Sequence, residues 1–172
     1  MTSSIGWLAM SYNVPITPSK NRVYVWRKLK EMGAEYFKHG VAILPHTKQN
    51  LQKIRALSSK IREMEGDATI VELRFLDPAD EAQMIAAFKK QSANEFRELF
   101  LDFARLYEGA DGCFGGGREE KEKMRRRYAK AKSRDFFGIE GELDLEGGFP
   151  ELMADLKKSS KELYRMMLSF FD

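Results

Sequence analysis

Short apolar runs and helically spaced stripes alternate along the first 76 residues. Gly6 to Tyr12 is apolar and aromatic, and Asn13-Val14-Pro15-Ile16-Thr17-Pro18 follows. Two prolines stop the run, so it predicts a strand leading into a loop. Thr17 or Ser19 can cap a helix whose first turn suits Pro18. That helix runs from Ser19 to Met32 with Val23, Trp26 and Leu29 as its expected buried stripe, and Gly33 stops it. Ala34 to Lys38 and Val41 to Leu44 flank His39-Gly40 as two strands joined by a tight turn, and Pro45 ends the second. Thr47 caps a second helix with the stripe Leu51, Ile54, Leu57, Ile61 and Met64, ending near Gly66. Ala68 to Leu76 is the clearest strand.

The order β-α-β-β-α-β predicts an α+β chain with a ferredoxin-like, four-stranded antiparallel sheet and its first and third strands central. Trp26 is expected to be buried against that sheet. The tail is helical. Asp77-Pro78 opens a long helix to Tyr107, with Met84, Ile85, Phe88, Phe96, Leu99, Phe100, Phe103 and Tyr107 on its apolar face. A glycine-rich segment, 109–117, breaks it. A basic helix runs from Arg118 to Arg134, then a loop with Asp135-Phe136-Phe137-Gly138 and an acidic stretch. A last helix begins at Pro150, with Leu152, Leu156, Leu163, Met167 and Phe171 on one side. The expected division is a ferredoxin-like domain over 1–77 and a helical extension over 78–172 packed on it.

Composition sharpens the class. With 172 residues, 43% hydrophobic and 32% charged, the chain suits one globular domain with an extension. One cysteine, Cys113, excludes an internal disulfide framework, and two histidines leave little for a metal centre. No run approaches 18 apolar residues and no signal peptide is visible, so the expectation is a soluble cytoplasmic protein with no membrane partner.

Charge is segregated. Residues 1–62 carry 11 Lys+Arg against 2 acids, and 63–117 carry 5 against 12. Residues 118–135 carry 9 against 4, and 136–172 carry 4 against 8. Such blocks suit polyanion-facing surfaces or self-assembly between opposite patches. They equally suit helix faces that neutralise each other within a monomer.

Few residues invite chemistry. The 109–117 segment lacks the Gly-Lys-Ser/Thr of a phosphate loop and lies between helices, so it reads as a connector. Cys113 reads as a loop thiol, and His39 and His46 as turn residues. No catalytic residue, metal or cofactor is expected. On the first helix Lys20, Tyr24, Arg27, Lys28 and Glu31 share a face, with Arg22 and Lys30 flanking the expected stripe. On the basic helix nine cations surround a narrow seam of Met124, Tyr128 and Ala131. Arg22, Arg27, Lys28, Arg125, Arg126, Arg127 and Lys130 are the candidate phosphate contacts.

Two resemblances bear on this. Ferredoxin-like nucleases of CRISPR spacer acquisition have a similar layout and place an aspartate at the end of the first strand, where this chain has Tyr12-Asn13. Asparagine is a weaker Mg²⁺ ligand than a carboxylate, which disfavours a metal-dependent nuclease. The stronger resemblance is carried by Tyr12 to Pro15, Pro18-Ser19, Arg22, Trp26-Arg27, Leu29, Gly33-Ala34, Gly40 to Pro45 and the Arg134-Asp135-Phe136-Phe137 segment. These are similar to the N-terminal domain of the chromate resistance protein ChrB. More distantly, the pattern resembles the C-terminal part of phenylacetate-pathway repressors. The ChrB resemblance implies a cytoplasmic transcriptional regulator of chromate-inducible genes that binds DNA, with chromate as the candidate inducer. Many members carry a further C-terminal domain, whereas this sequence ends at Asp172. The expected function is a non-enzymatic, DNA-binding, homodimeric regulator. The alternatives are a protein-interaction module and a degenerate metal-dependent nuclease.

Overall fold

The structure is a computed structural model that describes residues 6–37, 40–108, 117–142 and 160–171. The chain forms two compact units, Met1–Met84 and Ile85–Asp172. The first contains β1 (Trp7–Asn13), α1 (Ser19–Met32), β2 (Glu35–Phe37), β3 (Val41–Pro45), α2 (Lys48–Glu63) and β4 (Asp67–Leu73). The strands form one antiparallel sheet in the order β2-β3-β1-β4, with β3 and β1 central. Trp7 faces Pro45 on one side and Leu73 on the other. Trp7, Leu8, Ala9 and Met10 are all buried, which is why β1 reads as a continuous apolar run.

One sheet face is closed by the chain beyond β4. The pairing register puts Trp7, Ile43 and Phe37 on the same side. The Phe75 ring meets Trp7 edge-on at 5.6 Å and Phe37 at 5.9 Å. The Trp7 indole N–H donates to Glu81 at 2.9 Å. β4 stops at Leu73, which pairs with Trp7, and not at the expected Leu76. Phe75 is thereby released from the ladder to cover the sheet.

The helices show which local signals decide. α1 buries Val25, Leu29 and Met32, while Val23 and Trp26 are 52% and 50% exposed. The expected stripe of Val23, Trp26 and Leu29 is therefore wrong, and so is the burial of Trp26. At about 100° per residue Val25 and Met32 lie on one side of Leu29 and Trp26 and Val23 on the other, so the buried face is rotated away from the expected one. Neither Thr17 nor Ser19 caps α1. Pro18 holds the cap position, leaving Thr17 one residue early and Ser19 inside the first turn. Gly33 ends α1 at φ 75°, a left-handed turn that suits glycine. Thr47 caps α2, its hydroxyl accepting the Asn50 N–H at 3.0 Å. α2 buries Ile54, Leu57 and Ile61 against β4, β1 and α1. Gly66 serves close approach: a Cβ there would lie 2.6 Å from the Asn13 carbonyl oxygen.

α3 (Pro78–Glu108) runs on into the second unit, which also holds α4 (Arg118–Arg134), a 3-10 turn at Ile139–Glu142 and α5 (Ser160–Phe171). Asp77 opens α3 by accepting the Ala79 N–H at 2.8 Å. The core of this unit is Phe96, Leu99, Phe100, Phe103 and Ala104 of α3, Met124, Tyr128 and Ala131 of α4, and Met167 of α5. The α3 stripe and the α4 seam are the ones read from the sequence. The Arg134–Phe137 motif is a staple. Arg134 pairs with Glu95, and the Asp135 carboxylate accepts the Ile139 and Glu140 N–H groups at 2.9 Å each. Phe136 and Phe137 flank Phe88 at 5.8 and 5.9 Å. Pro150, Leu152 and Leu156 lie outside the described residues. No helix among the described residues is long and apolar enough to cross a membrane.

Candidate nucleic-acid interface

α4 buries so little of its circumference that its charges must find partners elsewhere. Outside the Met124, Tyr128 and Ala131 seam, Arg118, Glu119, Glu122, Lys123, Arg126, Arg127 and Lys130 line an open groove of about 640 Å³. Among the described lining residues, five cations against two carboxylates make this wall electropositive. Arg127 is partly committed, bridging to Asp102 of α3 at 2.7 Å, and Arg126 pairs with Glu122 at 3.1 Å. Among the described residues, no carboxylate pairs with Arg118, Lys123 or Lys130. Arg125 faces elsewhere. Its guanidinium lies 5.2 Å from the Phe170 ring centroid and donates to the Phe170 carbonyl at 3.4 Å, holding α5.

The seven candidate contacts therefore fall into two groups in different units. Arg126, Arg127 and Lys130 share the α4 groove, Arg125 does not, and Arg118 and Lys123 join it. The signal for those two was in the sequence, as a series at spacings of three, four and five residues from 118 to 130. In the first unit, Arg22, Arg27 and Lys28 lie on α1. Lys28 pairs with Glu31 at 2.7 Å, and the hydrogen bond and charge of that carboxylate raise its pKa above the ordinary amine value. Arg22 lines a separate groove of about 720 Å³ with the end of β1, the loop after it and the exposed flank of α1. The sequence reading missed this groove because it buried Trp26.

Two side chains of β2 titrate abnormally. Burial, then the hydroxyl of Tyr12 at 3.4 Å, pushes the Tyr36 phenol far above its usual range, so it stays protonated. Burial also raises the Glu35 carboxyl, against a hydrogen bond from the Tyr36 N–H. The native state thus holds the Glu35 proton more tightly than the unfolded chain. Its contribution to stability is complete below its ordinary value of 4.5 and is lost as pH rises through the higher native value. Glu35→Gln should accordingly raise Tm at pH 7 and leave it nearly unchanged at about pH 3.5. An equal gain at both values in thermal melts would contradict the assignment.

His46 is less idle than its turn position suggested, for its Nε2 lies 3.5 Å from Glu72. No group of three or more metal-ligating side chains occurs among the described residues. His39, Cys113 and residues 109–116 lie outside them.

Residues 22–111, slightly more than half of the chain, match the family described as Protein ChrB, N-terminal. The chain belongs to the ChrB N-terminal family. The match spans most of α1 and runs past the end of α3. The ChrB-like residues Tyr12 to Ser19 and the Arg134–Phe137 staple lie outside it. No curated protein and no solved structure matches the chain.

Proposed function

We propose that this ChrB-family chain is a nucleic-acid-binding transcriptional regulator associated with chromate resistance, built on a ferredoxin-like β-α-β-β-α-β unit. The observation that carries this reading is the α4 groove wall, where Arg118, Lys123 and Lys130 have no carboxylate partner among the described residues. A row of such cations along one helix face tracks phosphates, and the counterions it releases supply the binding free energy. Duplex DNA is the proposed partner, a homodimer the operating form, the cytoplasm its place, and chromate the inducer. The chain binds and does not cleave: Asn13 stands where a nuclease of this layout would use a carboxylate, and its amide is a poor Mg²⁺ ligand.

The test is a variant with Arg118, Lys123 and Lys130 all replaced by alanine. These three are better probes than Arg125, Arg126 and Arg127, whose contacts with Phe170, Glu122 and Asp102 would mix stability with binding. The log–log dependence of duplex affinity on salt should become shallower by about two to three units. The pairing of Arg127 and Arg134 with α3 carboxylates neutralises charge within one chain; the second reading is that basic and acidic faces of two protomers associate. It predicts an altered sedimentation coefficient with no change in the salt slope.

A further inference from the structure

The groove beside α1 combines features that the α4 wall lacks. Trp26 is 50% exposed and Ile16 is 77% exposed, an apolar lining that the described chain leaves uncovered. The Lys30 ammonium lies 5.3 Å from the Trp26 ring centroid, and Arg22 stands on the same wall. No carboxylate occurs among the described lining residues. Tyr12 and Asn13, at the end of β1, supply hydrogen-bonding groups. We propose that this groove receives an unstacked base of a single-stranded nucleic-acid segment, with the base against Trp26 and its phosphate on Arg22.

The proposal rests on the nucleic-acid reading above and deepens it, since it assigns a different surface and a different strand state. A concave, aromatic-lined site of about 720 Å³ has ample room for a splayed base, whereas a duplex hides its base faces in the stack. Every base presents a π-face, so stacking on Trp26 is tolerant of sequence. Anionic occupancy fits the helix: α1 carries Lys20, Arg22, Arg27, Lys28 and Lys30 against Glu31 alone. The same charge argues against a second copy of this chain, because a two-fold contact would set this cationic flank against itself.

The sequence has two tryptophans, which gives a direct readout. Trp7 is fully buried and bonded to Glu81, so only Trp26 can respond to a ligand in the groove. The full chain is titrated with single-stranded oligothymidylate and with a duplex of equal length, following tryptophan emission and acrylamide quenching. Oligothymidylate should change the Trp26 emission and protect it from acrylamide. Trp26→Ala should weaken single-strand binding about tenfold and leave duplex binding unchanged. Arg22→Ala should make the single-strand salt slope shallower by about 0.7. Should Trp26→Ala fold poorly, the wild-type emission and the Arg22 variant still decide. Single-strand binding that leaves Trp26 emission and acrylamide access unchanged overturns the groove and spares the duplex function. Binding of neither nucleic acid removes both. A response to polyglutamate equal to that with oligothymidylate assigns the groove to an acidic polypeptide and also overturns the proposal.

Discussion

Trp7→Ala is expected to destabilise the first unit by about 3–5 kcal/mol, whereas Trp26→Ala should change stability by no more than about 0.5 kcal/mol. Trp7 is wholly buried in a central strand, touches Phe75 edge-on, and satisfies its indole N–H on Glu81. Truncation leaves a cavity between sheet and cover and strands the Glu81 carboxylate. Trp26 has half its surface in water and lies on the flank of α1 rather than its buried stripe. Urea unfolding of both variants checks the contrast. Equal losses would show that α1 seats on the sheet through Trp26 after all.

Phe103→Ala should cost the second unit about 3–5 kcal/mol. Phe103 is 1% exposed and lies at the centre of an aromatic cluster. Its ring centroid is 5.8 Å from Tyr107, 5.6 Å from Phe170 and 6.3 Å from Phe171. Phe171 in turn stacks on Tyr128 at 4.2 Å, which joins α5 to α4. Losing Phe103 removes the side chain against which α5 closes, so helical content should melt at lower temperature by circular dichroism. An unshifted melt would contradict this core.

Where periodicity and local chemistry agreed, the sequence was legible. The strand and helix order, Gly33, Thr47, the α3 stripe and the α4 seam were all readable because each depends on residues within a few positions of one another. Two kinds of feature escaped. The choice between Val25 and Trp26 as the buried side of α1 depends on the surface that α1 meets, which residues within the helix do not encode. The role of Phe75 depends on the pairing register of β1, which releases it at Leu73. The α4 cations were visible as a block. Their division into groove-facing Lys123 and Lys130 and Phe170-bound Arg125 required the positions of α3 and α5. The Trp26 groove was hidden for the same reason as the error in α1: both follow from one rotation of the helix.

The measurement that bears most directly on the central claim is duplex DNA affinity of the full chain between about 50 and 200 mM salt, the range over which counterion release is readily resolved. With Arg118, Lys123 and Lys130 on phosphates, the log–log slope should lie between about −2 and −3. A slope near zero, or no binding at the low-salt end, would contradict the account.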